Sequence, residues 1–320
     1  MNPIRKWIQK SEKIILLRHK DPDWDAYGSQ FGMYFALKET FPKKNILAAG
    51  DSNALNCFQP MDPVSREDYR NALVIIMDTV AKSMLLNDDF VEAEKVVLID
   101  HHLNEPDVRF DEMVIDRSAS SCSEIVFHLL KEWKLPIPVS AARALMIGII
   151  SDTGRFLYNG TNSRTFSYAG ELMKFGVNLP EIYEMMYTEP LNMKKVKAAF
   201  FNSVQYTPHQ VAYRKNDRDF MLEHQVDVQT VSRGLVNQMA GAKEVRIWAN
   251  FTFDERIGKI LCEIRSRNVS VVDVARKYGG GGHAQACGCT VETWEDTDRI
   301  LADLDQIAEG LAHGQTTDSR

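Results

Sequence analysis

Through the first half of the chain, apolar residues fall in short unbroken runs separated by stretches with helical periodicity. Residues 14–17, Ile-Ile-Leu-Leu, form such a run of strand length, and residues 26–39 behind them carry the spacing of a helix. Residues 45–49 read as a second strand. Residues 50–70 are polar, hold Pro60 and Pro63, and read as loop with a short helix. Strand, helix and strand are predicted over 73–77, 81–90 and 96–99, and a brief strand over 114–115. Further helices are expected over 4–10, 121–133, 139–150, 165–175 (stopped at Gly176) and 179–187. Strands alternating with helices predict a mostly parallel sheet flanked by helices, with right-handed crossovers.

The pattern changes after about residue 188. Residues 191–201 form a helical stretch bearing Lys194, Lys195 and Lys197, read as a connector with solvated lysines. Alternating strands follow over 210–213, 245–253 and 259–265, then helices over 271–278 and 294–311. The chain is therefore expected to be α/β throughout. Its first domain spans 1–187, a helical connector 188–210, a smaller α/β domain 211–313 and a polar tail 314–320. A length of 320 residues with 44% hydrophobic content suits two cores.

Chemistry gathers where the apolar runs of the first domain end. The first is followed by His19-Lys-Asp-Pro-Asp23-Trp-Asp25, the third by Asp78, and the fourth by Asp100-His101-His102. The apolar helix 144–150 ends in Ser151-Asp152-Thr153-Gly154. Carboxyl ends of strands are where open α/β sheets bind ligands. Carboxylates crowded there repel one another and raise each other's pKa, a penalty that a divalent cation removes. An Asp-rich turn can also simply cap a helix; four recurrences in one domain favour the metal site. In the second domain, Gly279-Gly-Gly-Gly-His283 exposes backbone N–H groups and tolerates positive φ, and Arg265-Ser266-Arg267 lies just upstream. Together they read as a phosphate-binding loop with a guanidinium beside it.

Composition narrows the partners. A net charge of −6 argues against coating long nucleic acid, yet bound cations could still receive a small anionic substrate. Five scattered cysteines, Cys57, Cys122, Cys262, Cys287 and Cys289, read as free thiols of a reducing cytoplasm. The N-terminus lacks the apolar core of a signal peptide, and no apolar stretch approaches the roughly 18 residues of a membrane span. A cytoplasmic protein with no membrane partner is expected.

In this order, His-x-x-x-Asp-x-Asp, Asp, Asp-His-His, Asp and Gly-Gly-Gly-Gly-His, the motifs resemble the DHH phosphoesterase family with its DHH-associated C-terminal domain. The resemblance runs from about residue 14 to 290 and is nearest in size and spacing to the nanoRNase/pAp phosphatase branch, which is related to the RecJ exonuclease core. It implies a metal domain and a substrate-binding domain with the active-site cleft between them. It implies that His19 and Asp23 bind one metal, Asp25, His101 and Asp152 the other, and that Asp78 bridges the two. Asp100 would hold an imidazole from behind, and His102 would contact the scissile phosphate or assist the leaving oxygen. Arg265, Ser266, Gly281, Gly282 and His283 would bind the substrate's terminal phosphate or base. Two Mn2+ ions are implied, with Mg2+ or Co2+ as substitutes. The substrates implied are short RNA oligonucleotides, pAp and pApA; long duplex nucleic acid is not among them, and a homodimer is the assembly the family suggests. Trp24 and Asp21 depart from the family's usual residues and would alter the mouth of the site. Two rival readings are a manganese inorganic pyrophosphatase and a non-catalytic nucleotide sensor. Against them stand the nucleotide-handling look of the second domain and a complete ligand set.

Overall fold

In the first half of the chain, three apolar segments pair side by side as the inner strands of a five-stranded parallel sheet. The computed structural model describes residues 3–102 and 105–314, and the chain divides into two compact units after Thr188. In the first unit the strands are β1 (Lys13–Arg18), β2 (Asn45–Ala48), β3 (Leu73–Met77), β4 (Lys95–Asp100) and β5 (Glu112–Ile115), in spatial order β2-β1-β3-β4-β5. All four pairings are parallel. β1, β3 and β4 are buried on both faces, which is why they read as continuous apolar runs.

Helices cover one face. They are α1 (Pro3–Lys10), α2 (Trp24–Thr40), α3 (Cys122–Glu132), α4 (Val139–Asp152), α5 (Ser163–Met173) and α6 (Leu179–Tyr187). Ile14, Leu16, Ile75, Val97 and Ile99 pack against them in the main core. Ile15, Val74, Ile76, Val96 and Leu98 form a second cluster on the opposite face, under Tyr69, Val80, Leu85 and Phe90.

That second face corrects one expectation. Residues 81–90 are not a helix; the segment holds only the short 3-10 turns Lys82–Met84 and Asp89–Glu92. Its buried anchors, Val80, Leu85 and Phe90, recur every five residues, a spacing that a helix would spread over different faces.

The second unit contains α7 (Leu191–Asn202), β6 (Gln205–Tyr206), β7 (Ala212–Asn216), α8 (Arg218–His224), β8 (Ile247–Asp254), β9 (Lys259–Ser266), α9 (Val272–Lys277), β10 (Gly281–His283), β11 (Ala286–Val291) and α10 (Trp294–Gly314). Its sheet runs β10-β11-β9-β8-β7-β6 and is antiparallel except at β7–β8. α7, read from sequence as a connector, packs Val196 and Phe200 into this unit among Phe220, Met221 and Trp248. The glycine run, read as a loop, is partly an edge strand: Gly281 pairs with Gly288, Gly282 with Cys287 and His283 with Ala286. Gly282 has φ +131°, open to glycine and costly for other residues.

Candidate metal and phosphoester site

The turn after β1 is built before it is charged. Arg18, the last residue of β1, is buried and donates from Nη1 to the His19 carbonyl (2.9 Å) and to Asp51 Oδ1 (2.8 Å). Asp51 Oδ2 accepts from the Asp21 backbone N–H (2.8 Å), and Asn53 Nδ2 donates to the Pro22 carbonyl (2.7 Å). The segment after β2 thus holds the His19–Asp23 turn in shape. Asp21 sits there with φ +50°, a conformation that Asp tolerates better than most residues.

Asp23 caps α2, with Oδ1 accepting from the N–H groups of Asp25 and Ala26, both at 2.9 Å. The capping reading and the ligand reading of this turn therefore coexist in one residue. Asp25, fully buried in the first turn of α2, accepts from the N–H groups of Cys122 (2.7 Å) and Ser123 (3.0 Å) at the start of α3. A carboxylate is favoured there by the unpaired N–H groups and the helix dipole. α2 and α4 touch at Gly28 and Gly148: a Cβ on Gly28 would stand 2.7 Å from the Ala144 carbonyl oxygen, and one on Gly148 would stand 2.5 Å from Asp25 Oδ1. Asp152 ends α4 one helical turn beyond that contact.

Asp78 leaves β3 with φ +60°, its N–H donating to the Ile99 carbonyl (3.0 Å). Its two oxygens face different imidazoles: Oδ2 lies 3.5 Å from His19 Nε2, and Oδ1 lies 3.6 Å from His101 Nε2. His19 Nε2 is 3.8 Å from Asp23 Oδ1, and His101 Nε2 is 3.2 Å from Asp152 Oδ2. Three groups therefore place their donor atoms within 4.8 Å of one another: His19, Asp23 and Asp78; Asp25, His101 and Asp152; and Asp78, Asp100, His101 and His102. Asp78 Oδ1 and His101 Nε2 are buried and lack a hydrogen-bond partner. Buried polar atoms are rarely left so. Together with the mixed imidazole and carboxylate set, these orphaned atoms fit divalent cations of the manganese, cobalt or zinc kind.

Asp100 is fully buried, and its Oδ1 accepts from the N–H groups of His101 (2.7 Å) and His102 (3.2 Å) and from His102 Nδ1 (2.7 Å). The imidazole it orients is that of His102, which is partly exposed.

In the second unit, Arg265 projects from β9 and donates to the carbonyls of Ile264 (2.9 Å) and Cys287 (3.2 Å) and to Glu263 Oε2 (3.0 Å). Ser266 Oγ donates to the Val269 carbonyl (2.5 Å). Gly281, Gly282 and His283 are exposed on β10, separated from β9 by β11. Arg265 and the glycine strand thus belong to one end of one sheet. Glu263, which also meets Arg233 Nε at 3.2 Å, is a partner that sequence reading missed.

Residues 13–149 match the DHH family N-terminal domain, and residues 220–310 match the DHHA1 domain. The bifunctional oligoribonuclease and PAP phosphatase NrnA of Bacillus subtilis is 36% identical over 308 residues, covering 94% of this chain and 96% of that one. The chain belongs to the DHH family of phosphoesterases. The Asp100-His101-His102 triplet is thus the DHH motif itself. In fold, the DHH chain is similar to an exopolyphosphatase-related protein of Bacteroides fragilis, with a TM-score of 0.85 at 22% identity, covering 96% of this chain and 97% of that one. Manganese-bound RecJ of Thermus thermophilus is a more distant likeness, with a TM-score of 0.53 at 12% identity, covering 97% of this chain and 55% of RecJ. Among the described residues, no helix is long and apolar enough to cross a membrane.

Crowding sets the electrostatics of the DHH cluster. Burial pushes Asp25 well above the usual carboxylate range, reinforced by the charges of Asp78 and Asp152. Burial and the charges of Asp78 and Asp23 raise Asp152 to about 6, against the opposing contact with His101. Burial alone would lower His19 and His101; the neighbouring carboxylates outweigh it and lift them to about 11 and about 12. His102 is raised chiefly by its hydrogen bond to Asp100.

Proposed function

We propose that this chain releases mononucleotides from very short oligoribonucleotides, roughly dinucleotides to pentanucleotides and including pApA, and removes the 3′-phosphate of pAp. The observation that carries the reading is Asp78 standing between His19 and His101, one oxygen toward each. Likeness to an NrnA over nearly the whole length of both chains supplies the substrate class.

In this reading His19, Asp23 and Asp78 hold one ion, and Asp25, His101, Asp152 and Asp78 the other, with manganese as the expected metal. Two such ions, when bound, lower the pKa of water and stabilise the attacking and leaving oxygens of an in-line displacement at phosphorus. Asp100 accepts from Nδ1–H of His102 and favours its protonated form, so that Nε2–H can donate to a phosphate oxygen or give its proton to the leaving oxygen. No serine or cysteine nucleophile is required. Arg265, Ser266, Gly281, Gly282 and His283 recognise the substrate's terminal phosphate or base, for which Arg265 must exchange its pairing with Glu263.

The test is product release with manganese from pAp, pApA, RNA from dinucleotide to heptanucleotide, longer single-stranded DNA and pyrophosphate. Cleavage fastest on pApA and the shortest RNAs, and lost in Asp78→Ala, is expected. Activity confined to pyrophosphate, or none on any substrate, would overturn the reading.

A further inference from the structure

The turn that follows Asp152 is built with more care than a connection needs. The Thr153 carbonyl accepts from the N–H groups of both Leu157 and Tyr158 at 2.9 Å, and the Tyr158 carbonyl accepts from Thr161 N–H at 3.0 Å. Thr153 Oγ1 donates to the Ile149 carbonyl (2.6 Å) and accepts from Phe156 N–H (3.0 Å). Two consecutive large residues, Arg155 and Phe156, are left-handed, with φ of +65° and +67°. Such backbone is costly for residues with side chains and persists only where its surroundings enforce it. Here they do. The Phe156 ring stacks on Phe166 with centroids 5.3 Å apart, and the Arg155 guanidinium sits 5.0 Å from the centre of the Tyr187 ring.

This rigid turn presents apolar surface to water. Leu157 is 73% exposed and Tyr158 61%. A Cβ on Gly154 would stand 2.4–2.6 Å from three carbons of the Tyr158 ring. The ring therefore lies across the backbone two residues beyond Asp152, and only glycine leaves it room. One side of the ring rests on Gly154, and the remainder is open.

From this geometry we infer that Tyr158 is a stacking platform for a nucleobase of the substrate, placed beside the metal cluster at Asp152. The inference rests on the nucleotide reading given above and adds a specificity-determining residue to it. An aromatic face accepts any base, because every base has a π-face, and it needs no hydrogen-bond code. A platform held by strained backbone and flanking stacks is already ordered before substrate arrives, so binding costs little further entropy.

The test compares the full-length chain with Tyr158→Ala and Tyr158→Phe on a dinucleotide and on the matching base-free ribose phosphodiester. In Tyr158→Ala, KM for the dinucleotide should rise about tenfold while kcat changes little. The ratio of its specificity constants for the two substrates should fall by the same factor, and Tyr158→Phe should restore it. Stopped-flow mixing with a 2-aminopurine dinucleotide gives a second readout: an early fluorescence quench in the wild-type and Tyr158→Phe chains, lost in Tyr158→Ala. An unaltered KM and quench in Tyr158→Ala overturns the platform alone. So does an equal loss on both substrates, which would mean that the ring merely supports Asp152. If the wild-type chain hydrolyses no nucleotide, the underlying reading fails instead.

Discussion

Asp78 shows how much one residue decides. It leaves β3 in a left-handed conformation, and that turn aims one oxygen at His19 and the other at His101. Without metal, the surrounding carboxylates keep these imidazoles protonated up to about 11 and about 12, so both carry a proton at neutral pH. A cation that takes either nitrogen must expel that proton. Metal loading is therefore expected to release protons and to tighten as pH rises. Calorimetric titration with manganese in buffers of different ionisation enthalpy checks this, and heats independent of buffer would contradict it. The metal-free chain has the opposite dependence. A raised histidine pKa stabilises the fold fully below its unfolded value near 6.5, and that contribution is lost as pH climbs through about 11. His19, Asp78, His101 and Asp152 were legible as candidates because each stands within two residues of the end of an apolar run. Asp51 was not: its partners, Arg18 and Asp21, lie about thirty residues earlier, and nothing local marks the pairing.

At the scale of elements, the site depends on how closely α2 and α4 approach. Gly28 and Gly148 let the two helices meet, which sets Asp25 on the first and Asp152 at the end of the second within reach of His101. Gly148→Ala would place a methyl group 2.0 Å from Ser123 Oγ and 2.5 Å from Asp25 Oδ1. Overpacking of this kind costs about 1–3 kcal/mol. Because Asp25 is the group displaced, metal affinity should fall as well. Urea denaturation and manganese titration of this variant should both move; a change in stability with unaltered metal affinity would show that Asp25 tolerates the shift. The helices themselves were readable, since α5 is stopped before Gly176 and α4 is a long, mostly apolar run that ends at polar Ser151 and Asp152. Residues 81–90 misled because enough apolar residues were present to suggest a helix, while the fold uses them as isolated anchors under the sheet. The parallel β7–β8 pair within an otherwise antiparallel sheet left no mark on the alternation of either strand.

For the molecule as a whole, the division after Thr188 separates two kinds of residue. Every member of the metal cluster lies in the first unit, and Arg265, Ser266 and His283 lie in the second. Arg265→Ala is accordingly expected to raise KM for pAp and pApA by roughly tenfold or more while manganese stoichiometry stays the same, since one charged hydrogen bond is worth about 1.5–3 kcal/mol. Steady-state kinetics beside a metal titration distinguish the two effects, and a lost metal equivalent would contradict the separation.

The spread of the cluster along the chain also has a bearing on time. Its side chains come from residues 19 to 152, on strands that pair only with distant partners and on a helix that closes the set last in chain order. Long-range parallel pairing forms slowly, because loop closure must precede its reward. During synthesis, the group of Asp25, His101 and Asp152 cannot assemble until α4 has been made and has docked on α2. A chain interrupted before Asp152 would lack that carboxylate and leave the group it forms with Asp25 and His101 incomplete.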